Sequence, residues 1–102
     1  MAKEKTIKKE KVREHVVIKA PGSWTVTMWN DDFTTMDFVV MVLEHVFLKP
    51  EAEATRIMLD VDRNGQCVVG RYSYDIATSR TQRAMQLARS AGFPLKVTCE
   101  ED

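Results

Sequence analysis

Thr25-Val26-Thr27-Met28-Trp29 runs directly into Asn30-Asp31-Asp32-Phe33-Thr34-Thr35-Met36, and at this junction a two-residue alternation gives way to a helical pattern. Extended back to Trp24, the first half is rich in β-branched and large apolar residues and reads as a strand. The second half opens on three adjacent side chains that accept hydrogen bonds, two of them carboxylates, with large apolar residues on either side. A primary ammonium carries three donors and no acceptor, so one amide oxygen and two carboxylates match its needs. The same Asn-Asp-Asp run is also ordinary turn chemistry with a helix cap, and spacing alone does not raise it above that.

Downstream of the junction, Thr34 is the expected N-cap of a first helix. Asp37, three residues on, makes a capping-box-like pair and puts a negative charge on the helix N-terminus. Phe38, Val39, Val42, Leu43, Val46 and Phe47 follow at helical spacing and form one apolar face. Pro50 is expected to start a second helix, with Glu51 and Glu53 in its first turn. Ala54, Ile57, Met58 and Val61 are its inner face, and it ends near Asp62, before Asn64-Gly65. Gln66 to Tyr72 reads as a second strand in which Gly70 marks a bulge or a close backbone approach. Ser73 caps a long third helix, about Tyr74 to Ser90, whose inner positions Ala77, Thr81, Ala84, Leu87 and Ala88 are mostly small enough to lie close on a sheet. Gly92 ends it in the left-handed conformation, Pro94 blocks its resumption, and Leu95 to Cys99 is the last strand. The order β-α-α-β-α-β predicts an α+β domain, a three-stranded antiparallel sheet packed on three helices.

Upstream, residues 1–20 carry Lys3, Lys5, Lys8, Lys9, Lys11, Arg13 and Lys19 against Glu4, Glu10 and Glu14, a balance of +4. The whole chain is neutral, so the remainder is −4. Residues 1–20 are therefore expected to form a flexible basic arm, since the first fifteen or so offer too little apolar burial to offset ordering entropy. His15 to Ala20 can extend into a strand, and Pro21-Gly22-Ser23 turns into a core domain spanning 21–102. The arm lacks aromatic residues to stack on bases and its charges are interrupted by Glu, which argues against nucleic acid. At 102 residues the chain is a single domain with one modest core. No apolar run approaches the ~20 residues of a membrane helix, and no secretory signal is apparent, so no membrane partner and a cytoplasmic location are expected. Cys67 and Cys99 lack metal-ligand spacing and read as reduced, with a disulfide between neighbouring strands left open.

Several apparent motifs carry no chemistry. Asp60-Val61-Asp62-Arg63-Asn64-Gly65 matches the first half of a calcium loop, but Arg71 stands where a bidentate Glu belongs and a hydrophobic strand intervenes. No HExxH, phosphate loop, GxSxG or Cys/His pairing is present, so neither an enzyme nor a cofactor is expected. His45 lies at the edge of the first helix's apolar face as a structural residue. Met36 and Met58 have the flexibility to line a pocket that accepts several apolar shapes, though core filling is the commoner role.

Taken in order, Asn30-Asp31-Asp32, Thr34, Met36, Phe38-Val39, Val42-Leu43, Ala54, Met58, Val61, Gly65, Gly70 and Pro94-Leu95 resemble the ClpS adaptor family of the bacterial N-degron pathway, from about Trp24 to the end. The resemblance implies a non-enzymatic adaptor that binds substrates beginning with Leu, Phe, Tyr or Trp and hands them to a Clp-type AAA+ unfoldase. By position, Asn30 and Asp31 accept hydrogen bonds from the α-ammonium, with Asp32 nearby. Met28, Thr34, Met36, Val39, Val42, Met58 and Val61 line the side-chain pocket, Met36 as its gate. Asp75 and Arg80 match the surface that contacts the unfoldase N-terminal domain, and the arm matches the delivery segment.

Two positions depart from the family pattern. Thr35 replaces the usual Pro before the gating Met, a mild change because Thr also suits a helix's first turn. Asp62 replaces the usual His that helps hold the amine. An anion there still accepts from an ammonium, but a third carboxylate beside Asp31 and Asp32 adds repulsion that can lift a pKa or turn a side chain away. The expectation is retained amine recognition with altered pH and salt dependence. The alternative is a paralogue that docks on the unfoldase and modulates it without reading N-termini, and a carboxylate-based hydrolase is a third class.

Overall fold

The computed structural model describes residues 22–102. The arm and the His15 to Ala20 extension lie outside these residues. Strand β1 spans Trp24–Trp29, helix α1 Met36–His45, helix α2 Glu51–Asn64, strand β2 Gln66–Tyr72, helix α3 Tyr74–Ser90 and strand β3 Lys96–Glu101. The chain is thus β-α-α-β-α-β, with an antiparallel sheet ordered β2-β1-β3. The strand that leads into Asn-Asp-Asp is the central one.

Period-two alternation gives β1 its two faces. Val26 and Met28 are fully buried, joined in the core by Leu43, Ile57, Val69 and Val97 from the helices and flanking strands and by Leu95 just before β3. Thr25, Thr27 and Trp29 point the other way. There the Trp29 indole N–H donates to Thr98 Oγ1 at 3.0 Å, and Lys96 Nζ sits 5.0 Å from the indole ring centre. Helix α3 meets all three strands through Ala77, Thr81, Ala84 and Ala88, all buried. Leu87, expected with them, is only half-buried.

The bulge expected at Gly70 is present, and the group that approaches it closely is a side chain. The β1–β2 register shifts between Val26 and Thr27, whose partners are Gly70 and Val68. A Cβ on Gly70 would also lie 2.8 Å from the Tyr72 hydroxyl, so the tyrosine ring occupies the space over the glycine. Cys67 pairs with Met28 and Cys99 with Val26, on opposite sides of β1. Two strand spacings, about 9.5 Å, exceed what a disulfide spans, and both cysteines are free.

The helix ends depart from the sequence expectation in instructive ways. The cap of α1 is Thr35, not Thr34: its side chain accepts from the Phe38 N–H at 3.2 Å, while Thr34 is held in a turn by Asp31. Pro50 is the N-cap of α2, not its first residue, with extended ψ of 157°. That helix continues past Asp62 to Asn64, where Gly65 closes it at φ 86°. The calcium-loop lookalike is therefore mostly helix, with Asp60 paired to Arg56 at 2.8 Å. Arg71 faces Asp102 at 3.6 Å, and strand β3 begins at Lys96 and runs to Glu101.

Leu48, in the turn between α1 and α2, has φ 57° and is 66% exposed. A left-handed conformation costs a branched residue about 1–2 kcal/mol, and here little burial offsets it. Leu48→Gly is expected to raise stability by about 1 kcal/mol, measured by urea denaturation. A fall in stability would mean that the leucine side chain makes a contact that matters more than its backbone strain.

Candidate functional site

The end of β1, the start of α1 and the end of α2 converge on one cavity of ≈ 290 Å³. Local backbone chemistry brings them together. The Asn30 N–H donates to the Gly65 carbonyl at 2.9 Å, tying the chain leaving β1 to the residue that ends α2. Gly65 in turn donates to Val61 at 2.9 Å. On α2, Met58, Val61 and Asp62 follow at helical i, i+3, i+4 spacing and share one face. Met36 and Val39, one turn apart at the start of α1, stand across from them.

Asp31 organises the turn between β1 and α1. Its Oδ1 accepts from the Phe33 N–H at 2.8 Å and the Thr34 N–H at 2.7 Å, and its Oδ2 accepts from the Thr34 hydroxyl at 2.7 Å. A carboxylate has about four acceptor positions, so three internal donors leave roughly one for a ligand. Partial burial opposes ionisation of Asp31. The Thr34 N–H and hydroxyl, the Phe33 N–H and the charge of Arg89 outweigh it and hold the carboxyl below its usual value. Crowding among the acids therefore does not raise Asp31; it is an anion fixed in place.

The cavity lining combines a polar, acidic rim of Asn30, Asp31, Asp32, Asp62 and Thr34 with an apolar wall of Met36, Val39, Met58 and Val61. Among the described residues, none of the three carboxylates has a cation at ion-pair distance. Nor do three His, Cys, Asp or Glu side chains gather anywhere there in a way that holds a metal ion. Such a rim attracts a small organic cation, and the wall accepts an apolar group attached to it. Met36 is half-exposed at the mouth, at 50%, and its flexible thioether can adjust to what enters.

Two residues expected in the pocket lie elsewhere. Met28 and Val42 are fully buried in the core and do not form the cavity wall. Asp75 and Arg80 are remote from it, at the start of α3, with Arg80 Cζ 5.6 Å from the Tyr72 ring centre. Two residues without an expected role lie close to Asp31: the Phe33 backbone N–H donates to it and the Arg89 charge bears on it. The available signal for Phe33 was an aromatic inside an otherwise polar turn; Arg89 gave none beyond its place in the last turn of α3. No helix among the described residues is long and apolar enough to cross a membrane.

The family described as "ATP-dependent Clp protease adaptor protein ClpS" matches residues 19–98. The chain is 48% identical to the ATP-dependent Clp protease adapter protein ClpS of Acetivibrio thermocellus, over 97% of this chain and 98% of that one. Against the protein of the same name from Syntrophus aciditrophicus it is 46% identical, over 82% and 78% of the two chains. Among solved structures, Agrobacterium tumefaciens ClpS2 bound to L-phenylalaninamide superposes with a TM-score of 0.77 at 37% identity, covering 81% of this chain and 100% of that one. The chain belongs to the ClpS family, the adaptors of the ATP-dependent Clp protease.

Proposed function

We propose that this adaptor grips the free α-amine and bulky hydrophobic first residue, Leu, Phe, Tyr or Trp, of N-degron substrates and delivers them to a Clp AAA+ unfoldase. The observation that carries this reading is the joining, in one cavity, of the acidic rim and the apolar wall. L-phenylalaninamide, the ligand of the Agrobacterium relative, has both halves of the matching chemistry: a free α-ammonium and a large apolar side chain. In this reading Asn30, Asp31, Asp32 and Asp62 accept from the ammonium, Asp62 in place of the family's histidine. Met36, Val39, Met58 and Val61 surround the side chain.

Burying one large apolar side chain contributes roughly 1.5–3 kcal/mol, and each charge-assisted hydrogen bond about the same. After association costs this corresponds to affinity on the order of micromolar or somewhat tighter. Fluorescence anisotropy with Leu-, Phe-, Tyr- and Trp-initiated peptides tests the proposal. N-acetylation is expected to weaken binding at least about tenfold, by removing the charge and its donors. Equal binding of free and acetylated peptides contradicts it. Absence of binding by either, with co-elution on the unfoldase N-terminal domain, would instead favour a modulator that does not read N-termini.

Docking is assigned to Asp75 and Arg80 on the unfoldase N-terminal domain. Tyr74 and Ile76, exposed on either side of Asp75, add an apolar element to the charges there, the composition of a small protein interface.

The pH response follows from Asp31. Its folded carboxyl releases its proton more readily than the unfolded one, so the stability its turn contributes is complete above the ordinary value near 3.8 and is lost as pH falls through the lower folded value. A peptide α-amine titrates at about 7.7–8.0. Peptide affinity is therefore expected to be level from about pH 5 to pH 7 and to fall above about pH 8, as the ligand and not the protein loses charge. Affinity that rises through pH 8 would contradict capture of an ammonium.

A further inference from the structure

We propose that a shallow groove beside the cavity reads the third residue of the bound substrate, favouring Glu; the inference rests on the amine-capture reading above. The groove, ≈ 480 Å³, is lined by Phe33, Arg89, Gly92, Phe93 and Pro94. It shares a wall with the cavity. Asp32 and Thr34 line the cavity while Phe33, between them, lines the groove. The Phe33 N–H is held by Asp31 at 2.8 Å, yet the residue is 72% exposed, a large apolar side chain displayed next to the amine site.

The groove floor is held in place from behind. The Phe93 ring rests against Phe38 of α1, centroids 5.0 Å apart, and Arg89 Nη1 donates to the carbonyls of Phe93 at 3.0 Å and Leu95 at 2.9 Å. Those two bonds use the Nη1 hydrogens. Arg89 is exposed, and its Nε and Nη2 N–H groups, which make no hydrogen bond among the described residues, have the fork geometry that fits a carboxylate. Arg89 is also near enough to the cavity for its charge to bear on Asp31.

A peptide anchored by its first residue leaves the cavity as an extended chain. In such a chain the first and third side chains point the same way and the second points away, with the third Cα about 7 Å from the first. The second position therefore faces solvent above the acidic rim, and the third comes down on Phe33 and Arg89. Glutamate suits both: its methylenes cover the rings, and its carboxylate meets the guanidinium. A third-position Lys would put two cations together.

The test measures wild type and Phe33→Ala with L-phenylalaninamide, Phe-Ala-Glu-Ala-Ala, Phe-Ala-Ala-Ala-Ala and Phe-Ala-Lys-Ala-Ala, using calorimetry at two salt concentrations. The Glu peptide is expected to bind wild type about fivefold tighter than the Lys peptide, with the gap shrinking at high salt. Phe33→Ala is expected to weaken the Glu peptide about threefold or more and to leave L-phenylalaninamide within twofold of wild type. An Arg89→Glu variant is expected to reverse the Glu-over-Lys order. The groove reading is overturned if wild type binds L-phenylalaninamide and all three peptides alike and Phe33→Ala changes none of them. No binding of L-phenylalaninamide or of any peptide by wild type overturns the amine-capture reading itself, and the groove with it.

Discussion

Asp31→Ala is expected to weaken binding of a Phe- or Leu-initiated peptide by at least about 100-fold while leaving the domain folded. Two losses add. A charge-assisted hydrogen bond to the ammonium contributes about 1.5–3 kcal/mol, which by itself is about tenfold or more. The second loss is the turn: three donors converge on this carboxylate, from the Phe33 N–H, the Thr34 N–H and the Thr34 hydroxyl. Alanine releases all three, so the residues on either side of Asp31 no longer hold one geometry around the ligand, and a preorganised site becomes one that must be ordered on binding. The fold itself is sustained elsewhere, since Asp31 lies outside the buried core. Anisotropy titration with a circular dichroism melt on the same sample checks both halves. A loss below about tenfold would place amine recognition on the other carboxylates.

The largest stability effect is expected at Leu43. It is fully buried on the inner face of α1, one turn beyond the cavity residue Val39. Leu→Ala in such a position removes transfer free energy and leaves a void, costing about 2–5 kcal/mol. For a domain of this size each 1 kcal/mol moves Tm by about 4–8 °C, so a fall of at least about 8 °C is expected in calorimetry. Below its lowered Tm the variant is expected to keep peptide binding within about threefold, because the cavity wall is Val39 and not Leu43. A Tm within about 3 °C of wild type would mean the α1 face is not packed as described.

Elements bounded by strong local signals were legible from sequence. Strand β2 and helix α3 fell where expected because Gly65, Ser73 and Gly92 bracket them, each in a conformation its residue type favours. Thr34 was the expected cap of α1, and the cap moved to Thr35 because Asp31 holds Thr34 and spends that residue on the turn. A helical period fixes which residues share a face but not how deep each sits. Val39 and Val42 therefore looked alike in sequence, yet one lines the cavity and the other is sealed in the core. Alternation likewise fixes the face on which Met28 lies but not its depth, which is set by the helices packed over the sheet. The strand order β2-β1-β3 also closed the disulfide question, which spacing left open. The acidic rim was visible as Asn-Asp-Asp, but its fourth member, Asp62, came from resemblance, and no local signal announces the long-range bond from Asn30 to Gly65 that ties the turn to the end of α2.

A double-mutant cycle between Asp31→Asn and peptide N-acetylation tests most directly whether Asp31 holds the substrate's amine. Asparagine keeps an acceptor oxygen for the turn but removes the charge. If the carboxylate grips the ammonium, acetylation weakens wild-type binding at least about tenfold and Asp31→Asn binding by a factor at least about threefold smaller, since Asp31's charge is already gone and only Asp32 and Asp62 remain to lose their partner. An acetylation penalty of the same size in both proteins would contradict that assignment.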